Sequence, residues 1–235
     1  MIVVSTSSGP NSTPTTTTTQ TYFAYDNQKH LSTIKSGNIT KTFTYDSNGN
    51  LYTVSKSDAT LPTRTVTEFT YADGKLSQYT IRTYNGANLT SEKPYVYVYD
   101  GNKVSEIHFS TGYEKYTYDT NGNISSYLHD EPGLSGGSYF YSYDDKKSMF
   151  TNSLFKYPTV GDVFGFIDGY LYHILFPFNQ NNTSVVYPDS LHQTVQASYK
   201  YNYDDDGYPT SAVLTPSPLS GGATNKYTFE YSTLQ

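Results

Sequence analysis

Side chains able to carry out chemistry are few and scattered in this 235-residue sequence. It contains no cysteine, which excludes a thiolate nucleophile, a cysteine-ligated metal and a disulfide. No histidine belongs to an HExxH motif, and no GxSxG or P-loop motif occurs. The five histidines are His30, His108, His129, His173 and His192. We therefore expect no enzymatic activity and no cofactor.

Two histidines have acidic neighbours that require a separate interpretation. The run His129-Asp130-Glu131 could form an acid–base cluster, but the Pro-Gly pair that follows favours a solvated loop. An alternative function is a glycan-active hydrolase or lyase in which Asp168 and His173 share a cleft. A structural role is the simpler interpretation of His173.

Asp-rich turns offer a second kind of chemistry, calcium binding. Asn202, Asp204 and Asp206 stand at alternate positions before a glycine, as at the start of an EF-hand loop. The twelfth position of that loop is Val213, where an EF-hand has a bidentate glutamate. Turn formation explains these carboxylates without a metal, so we predict no metal site.

The strongest signal is a repeated aromatic-x-Tyr-Asp motif. An Asp after the tyrosine and a Gly three residues later, as in Tyr45-Asp46-Ser47-Asn48-Gly49, are typical of a type I turn followed by a left-handed residue. Each repeat therefore predicts a β-hairpin. Copies begin at Phe23, Phe43, Tyr97, Tyr116, Tyr141 and Tyr201, with variants at Phe69 and Phe229.

These hairpins predict an all-β fold, an antiparallel meander of about fifteen strands that is strongly curved or open-barrel-like. Apolar pairs three residues apart, such as Leu51 and Val54, predict either a bulge or burial on both faces. Within an insertion at 148–197, apolar side chains at helical spacing over 162–178 predict one helix packed on the concave side. Residues 1–20, rich in Ser, Thr and Pro, are predicted to be a disordered tether, and 21–235 a single domain.

Charge and hydropathy argue against two classes of partner. The net charge is -6 and only two arginines occur, which argues against a nucleic-acid surface. No segment reaches the roughly 18 consecutive apolar residues of a membrane-spanning helix. One face of the strand predicted over 63–71 carries Arg64 and Glu68, which argues against a lipid-facing strand. We expect a monomer that binds no nucleic acid.

Tyrosine supplies the candidate binding surface. The chain has 27 Tyr and no Trp. Exposed tyrosines along neighbouring strands would stack on a sugar or capture a peptide, whereas burial in the core is the alternative for most of them. The expected partners are a carbohydrate or a cell-envelope protein. The candidate binding residues are Tyr97, Tyr99, Tyr116, Tyr118, Tyr141, Tyr143, Tyr172 and His173.

The Tyr-Asp motifs resemble the YD repeats of Rhs-type surface proteins. The sequence more closely resembles a family of uncharacterised Bacteroidetes proteins, secreted or lipid-anchored, with a porin-like fold. The resemblance covers about residues 21–235. It implies export and attachment to the outer membrane through a lipid anchor on an N-terminal Cys, which this sequence lacks. Membrane contact would therefore be only through an anchor absent from this chain.

From these features we expect an extracytoplasmic protein at the cell surface or secreted. Its expected role is that of a non-enzymatic module that binds a ligand or partner, or serves as a scaffold. A structural, adhesin-like spacer is a further alternative.

Overall fold

The computed structural model describes residues 2–8, 17–133, 137–148, 157, 181–188, 190–217 and 224–231. These residues form sixteen strands and no helix. The strands are β1 (Ile2–Ser8), β2 (Thr17–Tyr25), β3 (Leu31–Ser36), β4 (Ile39–Tyr45), β5 (Leu51–Asp58), β6 (Thr63–Ala72), β7 (Lys75–Asn85), β8 (Asn88–Asp100), β9 (Lys103–Phe109), β10 (Gly112–Tyr118), β11 (Ile124–Asp130), β12 (Gly137–Lys147), β13 (Asn181–Tyr187), β14 (Ala197–Tyr203), β15 (Pro209–Pro216) and β16 (Thr224–Glu230).

Every strand pairs antiparallel with its neighbours in sequence, which confirms the predicted meander. In addition, β1 pairs with both β2 and β16, so the sheet closes into a barrel. The prediction of a disordered tether over residues 1–20 is therefore wrong for Ile2–Ser8 and for 17–20. The β-branched Val and Thr residues in these segments suit extended backbone, and pairing with the neighbouring strands provides partners for its backbone groups.

A β-bulge lies beside the tyrosine of the motif in successive hairpins. In the β4–β5 hairpin, Thr44 pairs with Thr53 but Tyr45 pairs with Leu51, so Tyr52 is the extra residue. The same shift occurs before Tyr25, Tyr71, Tyr99, Tyr118 and Tyr203. The bulge alternative is confirmed, and it explains how Leu51 and Val54 both contact the core.

One face of the sheet forms the core. Alternate residues along the strands are buried, and in a closed sheet the buried face is the inner one. The first aromatic of the motif supplies much of this core, as with Phe43, Tyr97 and Tyr116. The outer face of β4, by contrast, exposes Thr42 and Thr44. The inner face of the barrel is therefore largely aromatic.

The predicted helix at 162–178 lies outside the described residues and is not confirmed. Tyr157 is described within the insertion, and its ring lies 6.5 Å from that of Tyr71 and 6.3 Å from that of Tyr97. At this residue the insertion contacts the inner face of the sheet. The part of the chain that the structure describes contains no helix long and apolar enough to cross a membrane.

Candidate functional site

The tyrosine at the third position of the aromatic-x-Tyr-Asp motif is held in place by a hydrogen bond from its hydroxyl. The hydroxyl of Tyr45 donates to the carbonyl oxygen of Leu31 at 2.8 Å, and that of Tyr71 donates to Leu51 at 3.0 Å. Each of these two acceptors is the first residue of the second strand of the neighbouring hairpin, where the bulge interrupts the backbone hydrogen bonds between the strands. Equivalent bonds join Tyr99 to Leu76, Tyr118 to Val104, Tyr143 to Ile124 and Tyr231 to Pro209; Tyr201, the first aromatic of its motif, donates to Thr183. We call these seven tyrosines the hydroxyl ladder.

Burial of the hydroxyl ladder changes its acid–base chemistry. Desolvation raises the pKa of Tyr71 to about 12. Burial likewise raises the pKa of Tyr45, Tyr99 and Tyr118. These hydroxyls therefore remain protonated donors well into the alkaline range.

The eight candidate binding residues fall into three groups. Tyr97, Tyr116 and Tyr141 are core residues, at most 7% exposed. Tyr99, Tyr118 and Tyr143 are half-buried members of the hydroxyl ladder. Tyr172 and His173 lie outside the described residues, as does Asp168 of the alternative enzyme site. Because a ring that stacks on a ligand must expose its face, the burial of the first group argues against a binding role for it.

The sheet brings together an acid–histidine network that the spacing of the residues did not suggest. Glu114 on β10 is paired with His129 on β11, and Tyr116 is paired with Tyr127. The hydroxyl of Tyr127 donates to Glu114 Oε1 at 2.7 Å, and Tyr116 donates to Oε2. The Nδ1 atom of His129 lies 3.2 Å from Glu114 Oε1. Nε2 of the same ring lies 3.5 Å from Glu131 Oε2.

The pKa values of the two carboxyl groups in this network are shifted in opposite directions. Burial raises the pKa of Glu114 even though three neighbouring groups donate to it. The pKa of Glu131 is lowered, first by the hydrogen bond from Thr111, whose hydroxyl lies 2.6 Å away. The side chain of Glu114 is only 2% exposed, so it cannot touch a substrate and instead supports its neighbours.

The network corrects the interpretation of His129 as part of a solvated loop. His129 lies within β11, and its ring stacks on that of Phe109 at 5.7 Å. Glu114 was missed altogether, although it stands two residues before the core aromatic Tyr116 and therefore on the same face. A charged residue at a core position of the alternation was the signal that could have identified it.

A second group of aromatic residues lies on the outside of the barrel. Phe140 and Tyr187 face each other across β12 and β13, and their neighbours Tyr141 and Val186 are the buried, inward-facing pair. The ring of His192 stacks on Tyr187 with centroids 4.3 Å apart and planes at 14°, and lies 6.0 Å from Phe140. We call Phe140, Tyr187 and His192 the outer aromatic cluster. Three consecutive aromatics at 139–141 were its sequence signal, because alternation forces the middle one outward.

Carboxylates at the hairpin turns bind the backbone of their own turns. Asp46 Oδ1 accepts from the backbone N–H groups of Asn48 and Asn50 at 2.8 and 2.9 Å. The pKa of Asp46 is lowered, first by the hydrogen bond from the Asn50 side chain. Asp204 accepts from Asp206 and Tyr208 in the same way. In the part of the chain that is described, no three or more His, Asp or Glu side chains are placed to hold a metal ion.

The insertion opens inside one of these turns. Asp144 Oδ1 accepts from the N–H of Lys146 at 3.0 Å, as Asp46 accepts from Asn48. It also accepts from the N–H of Asn182 at 3.2 Å, which takes the place that Asn50 occupies in the uninterrupted turn. Both ends of the turn are therefore kept, although the chain between them is much longer.

Comparisons with known proteins establish the fold. No family model and no curated protein matches the chain, so the resemblance to YD repeats stays a prediction. Among solved structures, a porin-like protein from Bacteroides uniformis ATCC 8492 is similar with a TM-score of 0.62 and 12% identity, over 98% of this chain and 97% of that one. A porin-like protein from Bacteroides vulgatus ATCC 8482 has a TM-score of 0.53 and 16% identity, over 98% of this chain and 99% of that one. At these identities the similarity shows a porin-like fold and carries no information about a ligand.

Proposed function

We propose that this protein is an exported, non-enzymatic module of the cell surface that binds a ligand on the outer face of a rigid barrel. The observation that carries the proposal is the use of the inner face. Its aromatic rings form the core, and the hydroxyl ladder donates to backbone carbonyls. The outer face, where the outer aromatic cluster lies, is therefore the face that remains available to a ligand.

The non-enzymatic role is supported by the burial of Glu114. An acid–base mechanism needs a proton donor or acceptor in contact with the substrate. The carboxyl group of Glu114, whose pKa is raised, is enclosed by Tyr116, Tyr127 and His129. This network is better suited to holding β10 and β11 together than to catalysis.

Export rests on the repeat pattern and on the fold. The Tyr-Asp motifs resemble those of secreted or lipid-anchored Bacteroidetes proteins, and porin-like proteins from two Bacteroides species share the fold. A location outside the cytoplasm, as a lipoprotein of the outer membrane or in secreted form, agrees with both features.

The test is a binding survey with an activity control. The labelled full chain is applied to arrays of host and microbial glycans and to immobilised envelope protein fractions, while release of reducing ends is measured in parallel. We expect saturable binding to one of these ligands without product release. Release of product would contradict the non-enzymatic role, and an absence of binding to every ligand would contradict the binding role.

A further inference from the structure

We propose that the outer aromatic cluster is a carbohydrate-binding site. The inference rests on the proposed function, because it names the ligand class and the position of a site on the outer face. It depends on the three rings of Phe140, Tyr187 and His192, on the backbone at His192 and on the polar side chains around them.

The rings form a platform on the outside of the barrel. The Tyr187 and His192 rings are close to parallel, with an interplanar angle of 14°, and His192 is exposed. Phe140 lies beside them at 6.0 Å from His192, with its ring inclined at 54°. A flat exposed ring flanked by an inclined one matches the apolar C–H face of a pyranose, which gains from leaving water on an aromatic surface.

The backbone at His192 is held in an uncommon conformation. Its φ is 56°, in the left-handed region that residues other than glycine rarely adopt. Such a conformation costs free energy and persists where surrounding contacts fix it, which is common at ligand sites. Here the conformation places the imidazole over Tyr187 rather than away from the barrel.

Serine hydroxyls border the platform. Ser126 is paired with Phe140 across β11 and β12, and its Oγ lies 2.6 Å from Thr117 Oγ1. Ser138 and Ser142 stand two residues to either side of Phe140 and therefore share its outward face. Hydroxyl groups such as those of Ser138 and Ser142 can pair with sugar hydroxyls, whereas a purely apolar ligand would displace their water and offer no hydrogen bond in return.

The size of the cluster also favours a sugar over a protein. A stable protein–protein interface buries about 800 Å² on each partner, far more than three side chains provide. A small-molecule site instead needs a few aromatic contacts and a few placed polar groups. We therefore expect recognition of one or a few sugar rings.

The experiment compares variants of the full chain on the glycan array, with affinities measured by titration. His192→Ala and Phe140→Ser should each lower the affinity by about tenfold, since each removes one ring from the platform. His192→Phe keeps a ring over Tyr187 and should bind far better than His192→Ala. Tyr52→Ser is the matched control, because Tyr52 is an exposed tyrosine, 47% accessible, in the bulge of β5.

The outcomes separate this inference from the proposed function. Loss of glycan binding in His192→Ala and Phe140→Ser, with circular dichroism unchanged and Tyr52→Ser unaffected, supports the site. Glycan binding that survives both substitutions overturns the site and leaves the binding function standing. Binding to envelope protein but to no glycan overturns the carbohydrate assignment alone. No binding of any kind overturns the proposed function as well.

Discussion

Strongly alkaline solution should unfold the barrel cooperatively, because its buried tyrosines resist ionisation only while it is folded. Burial raises the pKa of the partly exposed ladder member Tyr231 and of the five more buried members Tyr45, Tyr71, Tyr99, Tyr118 and Tyr201. In the unfolded chain the same groups ionise near the ordinary tyrosine value of about 10. A raised folded-state pKa means that their contribution to stability is complete below about pH 10 and is lost as the pH rises through the folded-state values.

The magnitude follows from the number of groups. Each tyrosine that is ionised when unfolded but neutral when folded lowers the free energy of unfolding by about 1.4 kcal/mol per pH unit. These five groups alone lower it by about 7 kcal/mol per pH unit, and other tyrosines whose pKa burial raises, such as Tyr97 and Tyr199, add to this slope. Since a domain of ordinary stability has about 5–15 kcal/mol in total, the barrel should unfold between about pH 11 and 12.

The assay follows tyrosinate absorbance and far-UV circular dichroism through one alkaline titration. We expect the buried tyrosines to ionise in a steep step that coincides with loss of the β-sheet signal. Ionisation of all 27 tyrosines near pH 10, with no later step and with an intact sheet signal, would refute the reasoning, because it would mean that the ladder hydroxyls are not held by the fold.

Substitutions in the ladder test the same argument. Tyr45→Phe combined with Tyr99→Phe removes two of these titrating groups and should reduce the pH slope by about 3 kcal/mol per pH unit. It also removes two hydrogen bonds to carbonyl oxygens, which should lower stability at neutral pH by about 2 kcal/mol in total. Tyr52→Phe, in an exposed bulge, is the control and should change neither quantity.

Three further substitutions test separate parts of the structure. Burial raises the pKa of Glu114, so its contribution to stability is complete at acidic pH and is lost as the pH rises through that pKa, which lowers the thermal midpoint of unfolding. Glu114→Gln should remove this pH-dependent fall in the midpoint, and an unchanged pH profile would contradict the burial argument. Gly49 has φ of 79°, and Gly49→Ala should cost about 1–2 kcal/mol by urea unfolding, a smaller loss counting against strain at the turn. Asn182→Ala removes hydrogen bonds to Asp144 and to the Lys147 carbonyl oxygen and should cost about 1–3 kcal/mol, whereas the exposed control Asn202→Ala should cost less.

Local chemistry explains why the hairpins could be predicted and the closure of the sheet could not. A turn such as 45–51 is specified by neighbouring residues: Asp46 binds the backbone of its own turn and Gly49 supplies the positive φ. The pairing of β1 with β16 joins residues more than two hundred positions apart. No turn signal specifies such a pairing, and composition alone favoured disorder for residues 1–20.

The same distinction applies to the sites. The acid–histidine network was within reach of the sequence, because the bulge register that pairs Tyr118 with Ile124 also places Tyr116 opposite Tyr127 and Glu114 opposite His129. The outer aromatic cluster was only partly within reach, because the three aromatics at 139–141 place Phe140 on the outer face but do not place His192 beside it. It requires the left-handed backbone at His192, which turns the chain after β13 back over Tyr187.

The position of the insertion explains how the sheet accommodates it. Asp144 and Asn182 keep the hydrogen bonds of an ordinary turn, so β12 and β13 pair as if the intervening chain were short. The inserted chain nevertheless packs a side chain against the core. Because barrel diameter grows with strand number, side chains from outside the sheet can help to fill the interior of a wide barrel. Tyr157, in contact with Tyr71 and Tyr97, is partly buried and packs against the core, although it comes from the insertion and not from the sheet.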